Sequence, residues 1–530
     1  MLKKMSDTPK ALKFSDVKLF WSALSPKERR SVVARGILTF VALFFLLPLA
    51  RKIGVNESEL CVSLLFLTGG ALFLPSVLFL LFYWPFFLLL LTDFHLYRSY
   101  GLSLFGIGEQ VAALIADTNK AEVFEYLARA GCAEWGALLF TAVISCFVPF
   151  YAPVWKNIPE KWLRAIILTL CISYPFGYIS HLYPAVQSEF ASERNGILAK
   201  AAAFRFNPEK KRHKADTVVI LIGETHRQTE FHPAFDKYAS HFQTLYRFSD
   251  MISPFSGTLN AVPIILSRKK GRDHFNFFYE KSLFSLFGEA GYSTYFVHYI
   301  DNSSELNGLN FIYREADRFI KYAKKVTPET DEGILPILDG ILKNPERKKL
   351  IVIKMIGVHI NFSFRYPDPD FSRLQRILSV MKRKTPEMEM YHYKKAVDYS
   401  AGIIAGVMER IEKRPEPSML LFSSDHGICI FDKGYFHLPA TCQNAFHIPA
   451  MILLNPALTK ATSNEAKNNL ACNRDKPLTQ EYYFETVATL AGISYPAADS
   501  NYDLTRICDP LKGKKRPVST DFGTAAYENL

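Results

Sequence analysis

Repetition is missing from this 530-residue chain. It has no internal repeat and no low-complexity tract, so solenoid, propeller and disordered-tail architectures do not apply. Zinc-finger spacing, RNA-binding aromatic signatures and helix-turn-helix cues are also lacking. The net charge of +12 is therefore not read as a nucleic-acid footprint, and no nucleic-acid partner is expected. Cysteine is sparse, with eight residues, and their spacing fits no zinc ribbon. No small-residue cleavage site follows the first apolar run, and the basic region before it is too long for a secretory leader. A cleavable signal peptide is thus excluded.

What is there is unevenly distributed. The first 35 residues carry nine Lys or Arg against three acids, half of the whole positive excess. That charge sits directly before the apolar run 36–50, which Arg51 and Lys52 close. A second run, 61–92, has 32 residues and no charge. A spanning helix needs ~20 residues, so this run suits two helices joined tightly near Gly69, Gly70 and Pro75. Further candidates cover roughly 136–153 and 163–183. The basic N-terminus and the cluster Lys156, Lys161 and Arg164 both belong on the cytoplasmic side. Five spans satisfy both constraints and deliver the C-terminal half outside, whereas four do not. The expected organisation is a cytoplasmic basic segment 1–35, a five-helix transmembrane domain 36–185 with an outer loop at about 94–134, a linker 186–216, and an outer domain 217–530. Within that linker, 206–216 is polar and basic.

The C-terminal half reads as α/β. Short apolar runs at 217–222, 293–298, 350–356, 418–423 and 450–454 alternate with helical stretches. The clearest helix is 389–412, where Ala396, Tyr399, Ile403, Val407 and Ile411 recur at helical spacing. Continuous apolar strands suit a parallel sheet buried on both faces, flanked by helices through right-handed crossovers. Cys429, Cys442, Cys472 and Cys508 fall in this half. In an oxidising compartment they could form up to two disulfides; free buried thiols are the alternative.

The polar residues sit in one place relative to the strands. Gly223-Glu224-Thr225 follows the first run, Asp301-Asn302 the second, Val358-His359 the third and Ser424-Asp425-His426-Gly427 the fourth. Ligands of parallel α/β sheets bind outside the carboxyl ends of the strands. Glu224, His359, Asp425 and His426 are therefore expected to converge despite a separation of some 200 positions. Glu, Asp and His together form a zinc ligand set by type. A nucleophile is offered by Thr258, in Ser256-Gly257-Thr258 ahead of an apolar run broken by Pro263. Its hydroxyl suits a helix N-terminus, where backbone N–H groups favour a developing anion. From spacing alone, a helix cap is the better reading of Thr258.

At these residues the chain resembles the phosphoethanolamine transferases of Gram-negative inner membranes, members of the alkaline phosphatase/sulfatase superfamily. Gly223-Glu224-Thr225-His226-Arg227 resembles the family's G-E-T-x-R, which implies zinc ligation by Glu224. Ser256-Gly257-Thr258 with Ala261-Val262-Pro263 is similar to the nucleophile segment, and Ser424-Asp425-His426-Gly427 to the S-D-H-G that completes the zinc site. Gly357-Val358-His359 with Arg365-Tyr366-Pro367, Tyr435-Phe436-His437, and Gln443 with His447-Ile448-Pro449 are similar to further family segments, whose histidines border the metal or phosphate. Residues 116–127 in the outer loop also resemble a family segment. Three positions depart: Asn307 stands about where the family has a phosphate-contacting Lys, Val358 replaces a Ser, and Ile428-Cys429 replaces Glu-Ser.

The resemblance implies a zinc-dependent enzyme of the inner membrane, with one ion and room for a second. Its metal ligands would be Glu224, Thr258, Asp425 and His426. Thr258 would be the nucleophile, with His359, His437, His447, Asn302 and Asn307 around the substrate. Phosphatidylethanolamine would be the donor, and lipid A, lipopolysaccharide core or a periplasmic glucan the acceptor, with a phospho-threonine intermediate between. Two rivals stand beside it: another enzyme on the same fold (phosphoglycerol transferase, sulfatase or phosphodiesterase), and a non-catalytic lipid- or glycan-binding descendant.

Overall fold

The protein is described by a computed structural model. It covers residues 203–530, except 210–213, 269, 271–280, 300–309, 323–329, 369–384, 433–435, 438–440 and 521–522, together with scattered positions between 22 and 140. Apart from a few such positions, the five spans expected within 36–185 lie outside the described residues. Among the described residues no helix is long and apolar enough to cross a membrane. Two compact units divide the chain, and the elements below all belong to the one that holds 187–530.

Eight strands form one sheet in the order β10-β2-β9-β6-β1-β5-β3-β4. They are β1 (Thr217–Gly223), β2 (Leu245–Ile252), β3 (Ser293–His298), β4 (Arg318–Lys321), β5 (Lys349–Lys354), β6 (Ser418–Ser424), β9 (His447–Leu454) and β10 (Leu478–Thr479). Two short hairpins, β7 (Cys429–Ile430) with β8 (Phe436–His437) and β11 (Pro517–Thr520) with β12 (Gly523–Ala526), lie apart from it. All five expected strands are present. The run at 450–454 departs from expectation in direction: β9 is antiparallel to both β6 and β2. Burial on both faces makes its sequence continuously apolar, so composition cannot distinguish its direction from that of its neighbours. β2 and β4 were not anticipated. Their sequences, LYRFSDMI and RFIK, are interrupted by charge because part of each is half-buried or exposed.

Alternation along β1 divides the core in two. Val218, Ile220 and Ile222 pack on one face with Val262, Ile265 and Leu266 of helix α2 (Thr258–Leu266). Val219 and Leu221 pack on the other with Phe231 and Phe235 of α1 (Gln228–Ala239), and with α3 (Ile334–Lys343) and α4 (Pro386–Glu412). This is a three-layer α/β/α sandwich, and the period of two explains how one strand feeds both layers. α4 starts three residues before the periodic stretch at 389–412, because Pro386 suits the first turn and Thr385 accepts a hydrogen bond from Met388 N–H. Phe206, within the polar stretch 206–216, is buried against Phe484 and Tyr495. The cysteines left open by spacing pair as Cys429–Cys442 and Cys472–Cys508, with Cα atoms 5.9 and 5.7 Å apart.

Candidate metal centre

β1 has β5 on one side and β6 on the other, all parallel, with Ile222 level with Lys354 and Gly223 level with Ser424. Neighbouring strands stand ~4.8 Å apart. Residues just past these three ends must therefore meet, whatever their separation in sequence. Glu224 leaves β1, Lys354 is the last residue of β5, and Asp425 and His426 leave β6. All four are buried, at 6, 3, 0 and 5 % exposure respectively.

Thr258 joins them from above. Gly257 occupies the N-cap of α2 and Thr258 is the first helical residue, so the hydroxyl is not spent on capping. Its Oγ1 lies 3.0 Å from Asp425 Oδ2, 3.2 Å from Glu224 Oε2 and 3.4 Å from His426 Nε2. His426 Nε2 is 3.4 Å from Glu224 Oε1 and 3.8 Å from Asp425 Oδ2. Donor atoms around a tetrahedral zinc with bonds of about 2.0–2.1 Å stand ~3.3 Å apart. The threonine, the two carboxylates and the imidazole fit that spacing, and Glu224, Asp425 and His426 each offer an atom within 4.8 Å of the others. His426 Nδ1 lies 2.7 Å from Gly427 O, which directs that N–H to the carbonyl and Nε2 to the centre.

The surrounding backbone is held tightly. Asp425 Oδ1 accepts hydrogen bonds from Thr225 N and His426 N, at 3.2 and 2.7 Å. Gln480 Nε2 donates to the carbonyls of Ser424 and Asp425. Tyr393 of α4 donates to Thr225 O and accepts from Arg227 N. Gly357 has φ +53°, and a Cβ there would lie 2.7 Å from Glu224 N and O, so only glycine lets this loop close on Glu224.

Charge explains the protonation pattern. Burial opposes the Glu224 charge, but Lys354 and His426 overcome it and hold its carboxyl well below the usual range. Burial and the Glu224 charge push Asp425 up. Burial works against the Lys354 cation, yet Asp425 and Glu224 prevail and keep it above the ordinary lysine value.

The remaining expected site residues are distributed as follows. His359 is half-buried, close enough for its charge to act on Glu224, and its carbonyl accepts from Arg365 Nε. His437 is located by its backbone, paired with Cys429 in the β7–β8 hairpin that the Cys429–Cys442 bond closes. His447 begins β9, with Nε2 3.0 Å from Ser249 O and its ring beside Tyr527. No hydrogen bond joins it to the buried cluster among the described residues. Asn302 and Asn307 lie outside the described residues. Ile428 is buried in the core layer of Val219, Leu221 and Phe422, so this departure from the family pattern adds apolar packing there. Sequence reading missed Lys354, Gln480 and Tyr393. Only Lys354 leaves a trace in the sequence, as the one charge inside the apolar run LIVIKMI, at its carboxyl end.

Comparison with known proteins supplies three findings. The family model described as sulfatase matches residues 216–493. The phosphoethanolamine transferase EptC of Escherichia coli O18:K1:H7 is 22 % identical over 378 residues, 61 % of this chain and 64 % of its own length. The chain thus spans just under two thirds of that relative. Two solved structures share the fold. The zinc complex of the C-terminal periplasmic domain of Escherichia coli EptC matches with a TM-score of 0.51 at 19 % identity, covering 61 % of this chain and 95 % of that one. The integral membrane lipooligosaccharide phosphoethanolamine transferase A of Neisseria meningitidis matches with a TM-score of 0.57 at 16 % identity, covering 88 % and 98 %.

Proposed function

The chain belongs to the sulfatase family, and on that premise we propose that it transfers phosphoethanolamine from phosphatidylethanolamine to a cell-envelope acceptor such as lipid A, lipopolysaccharide core or a glucan. The observation that carries this reading is a threonine oxygen at a helix N-terminus within 3.4 Å of Glu224, Asp425 and His426. The name of the EptC relative supports the choice of transferred group.

Glu224, Asp425, His426 and Thr258 would hold a zinc ion, which supplies positive charge that acidifies the threonine hydroxyl and steadies the phosphoryl oxygens. Thr258 Oγ1 gives its proton to solvent and attacks the phosphorus of the donor from its place within 3.4 Å of Glu224, Asp425 and His426. The phosphorus–oxygen bond to the glycerol breaks, and diacylglycerol leaves with a proton from His359 or His437. The acceptor oxygen then attacks the phospho-threonine and returns its proton to that histidine. The Thr258 oxygen–phosphorus bond breaks, and the threonine oxygen regains a proton from solvent. His447, Asn302 and Asn307 are assigned to substrate binding.

The membrane half accounts for access to a lipid headgroup. The reading places residues 36–185 in the inner membrane as five helices, with 1–35 cytoplasmic and the catalytic domain 217–530 periplasmic. The two disulfides support an oxidising compartment.

Thr258→Ala is expected to abolish release of diacylglycerol from phosphatidylethanolamine, a loss of at least ~10³-fold. Incubating wild type with donor should add one phosphoethanolamine mass to the peptide containing Thr258. An unmodified peptide from an enzyme that turns over would sink the covalent route.

A further inference from the structure

Lys354 is the charge that the proposed chemistry leaves unused. Its ammonium bonds Glu224 Oε2 and lies 3.0 Å from Asp425 Oδ2, with Gly223 O at 3.4 Å. These are the same two carboxylate oxygens that face Thr258. Lys354 and Thr258 share no hydrogen bond among the described residues, so each oxygen is approached by both groups separately. The lysine is 3 % exposed. Strand register makes its position obligatory: Leu350 and Val352 of β5 pack in the core layer of α2, and the period of two points Lys354 to the same side.

Two buried carboxylates this close would repel each other without a cation between them. A divalent ion would relieve that repulsion, and so does a fixed ammonium. In the form that binds a metal the imidazole is neutral, so the donor set then carries two negative charges and Lys354 one positive. The net charge offered to an incoming ion is −1, and without the lysine it would be −2. We propose that Lys354 is a resident counter-cation of this centre, which holds Glu224 and Asp425 together before a divalent ion binds and limits how tightly they bind it. The proposal rests on the metal-centre reading above. It adds that the lysine and the ion neutralise the same acid pair and therefore oppose each other thermodynamically.

The test compares the full-length detergent-solubilised protein with Lys354→Met, which keeps length and apolar bulk while removing the charge. Zinc affinity is read by competition against a fluorescent chelator, and protease resistance of the C-terminal half is read with and without zinc. The variant should bind zinc about tenfold or more tightly than wild type. It should be more easily cleaved in chelator and regain resistance with zinc. A lysine that merely supports the fold predicts the opposite, weaker zinc binding. Equal or weaker affinity in the variant, or a failure to fold even with zinc, would overturn the proposal. The premise is judged separately by the wild type. Zinc binding by the variant but not by wild type would remove the metal-centre reading and leave the counter-cation role standing. Binding by neither would remove both.

Discussion

Thr225 has φ +64°, a conformation that a β-branched side chain adopts only at a cost of order 1–3 kcal/mol. It persists because its neighbours over-determine it: Asp425 holds its N–H, Tyr393 its carbonyl, and its hydroxyl bonds Glu224 Oε1 at 2.6 Å. The turn directs Glu224 across the strand ends. Gly357 closes the same turn from the β5 side, where Val358 N donates to Glu224 O at 3.0 Å. Gly357→Ala would therefore displace Glu224 backbone and should cost about 2–4 kcal/mol of stability. Diacylglycerol release should fall with it; retention of full activity and melting temperature would contradict the close approach. His232 offers a pH test away from the centre. Burial, with Arg247 nearby, lowers its pKa from 6.5 to about 4. The unfolded chain then takes up this proton first as pH falls. The stability is fully present above pH 6.5 and is lost as pH drops toward 4. His232→Asn should shrink that acid loss, by on the order of 2 kcal/mol between pH 7 and 4. Thermal unfolding across this range would read the difference.

Among elements, α4 holds the Thr225 turn in place. Its helical period buries Ala396, Val407 and Ile411 against the sheet. The same face presents Tyr393, whose hydroxyl clamps Thr225 O and Arg227 N at 2.9 and 2.7 Å. Removing the hydroxyl strands two buried backbone groups, so Tyr393→Phe should cost about 1–3 kcal/mol. Turnover should fall more than donor affinity does, because the strained turn relaxes while the substrate-facing side chains remain. A change confined to KM would argue against this role. α2 contributes differently. Its N-terminus presents Thr258 because Gly257, without a side chain to cap the helix, leaves the first hydroxyl for the centre.

For the whole molecule, the sheet order places β1 between β5 and β6, so chemistry collects at three adjacent strand ends. On the proposed topology, the charge distribution of the first half would set which side of the membrane that rim faces. A periplasmic reporter joined after residue 530 should be active and a cytoplasmic reporter silent; the reverse would refute five spans.

The amino-acid order alone was enough to read five of the sheet's strands, α4, and the meeting of Glu224, Asp425 and His426 at the strand ends; Thr258 entered only through the family resemblance. Buried strands and amphipathic helices write their periods into composition, and polar residues after strand ends mark the carboxyl rim of a parallel sheet. The direction of β9, the half-exposed β2 and β4, and the cysteine pairing were not legible, since neither strand direction nor disulfide partner alters local pattern. Lys354, Gln480 and Tyr393 were decided by tertiary structure. Each acts on residues 50 to 170 positions away, and such contacts exist only once register and packing bring the strand ends together.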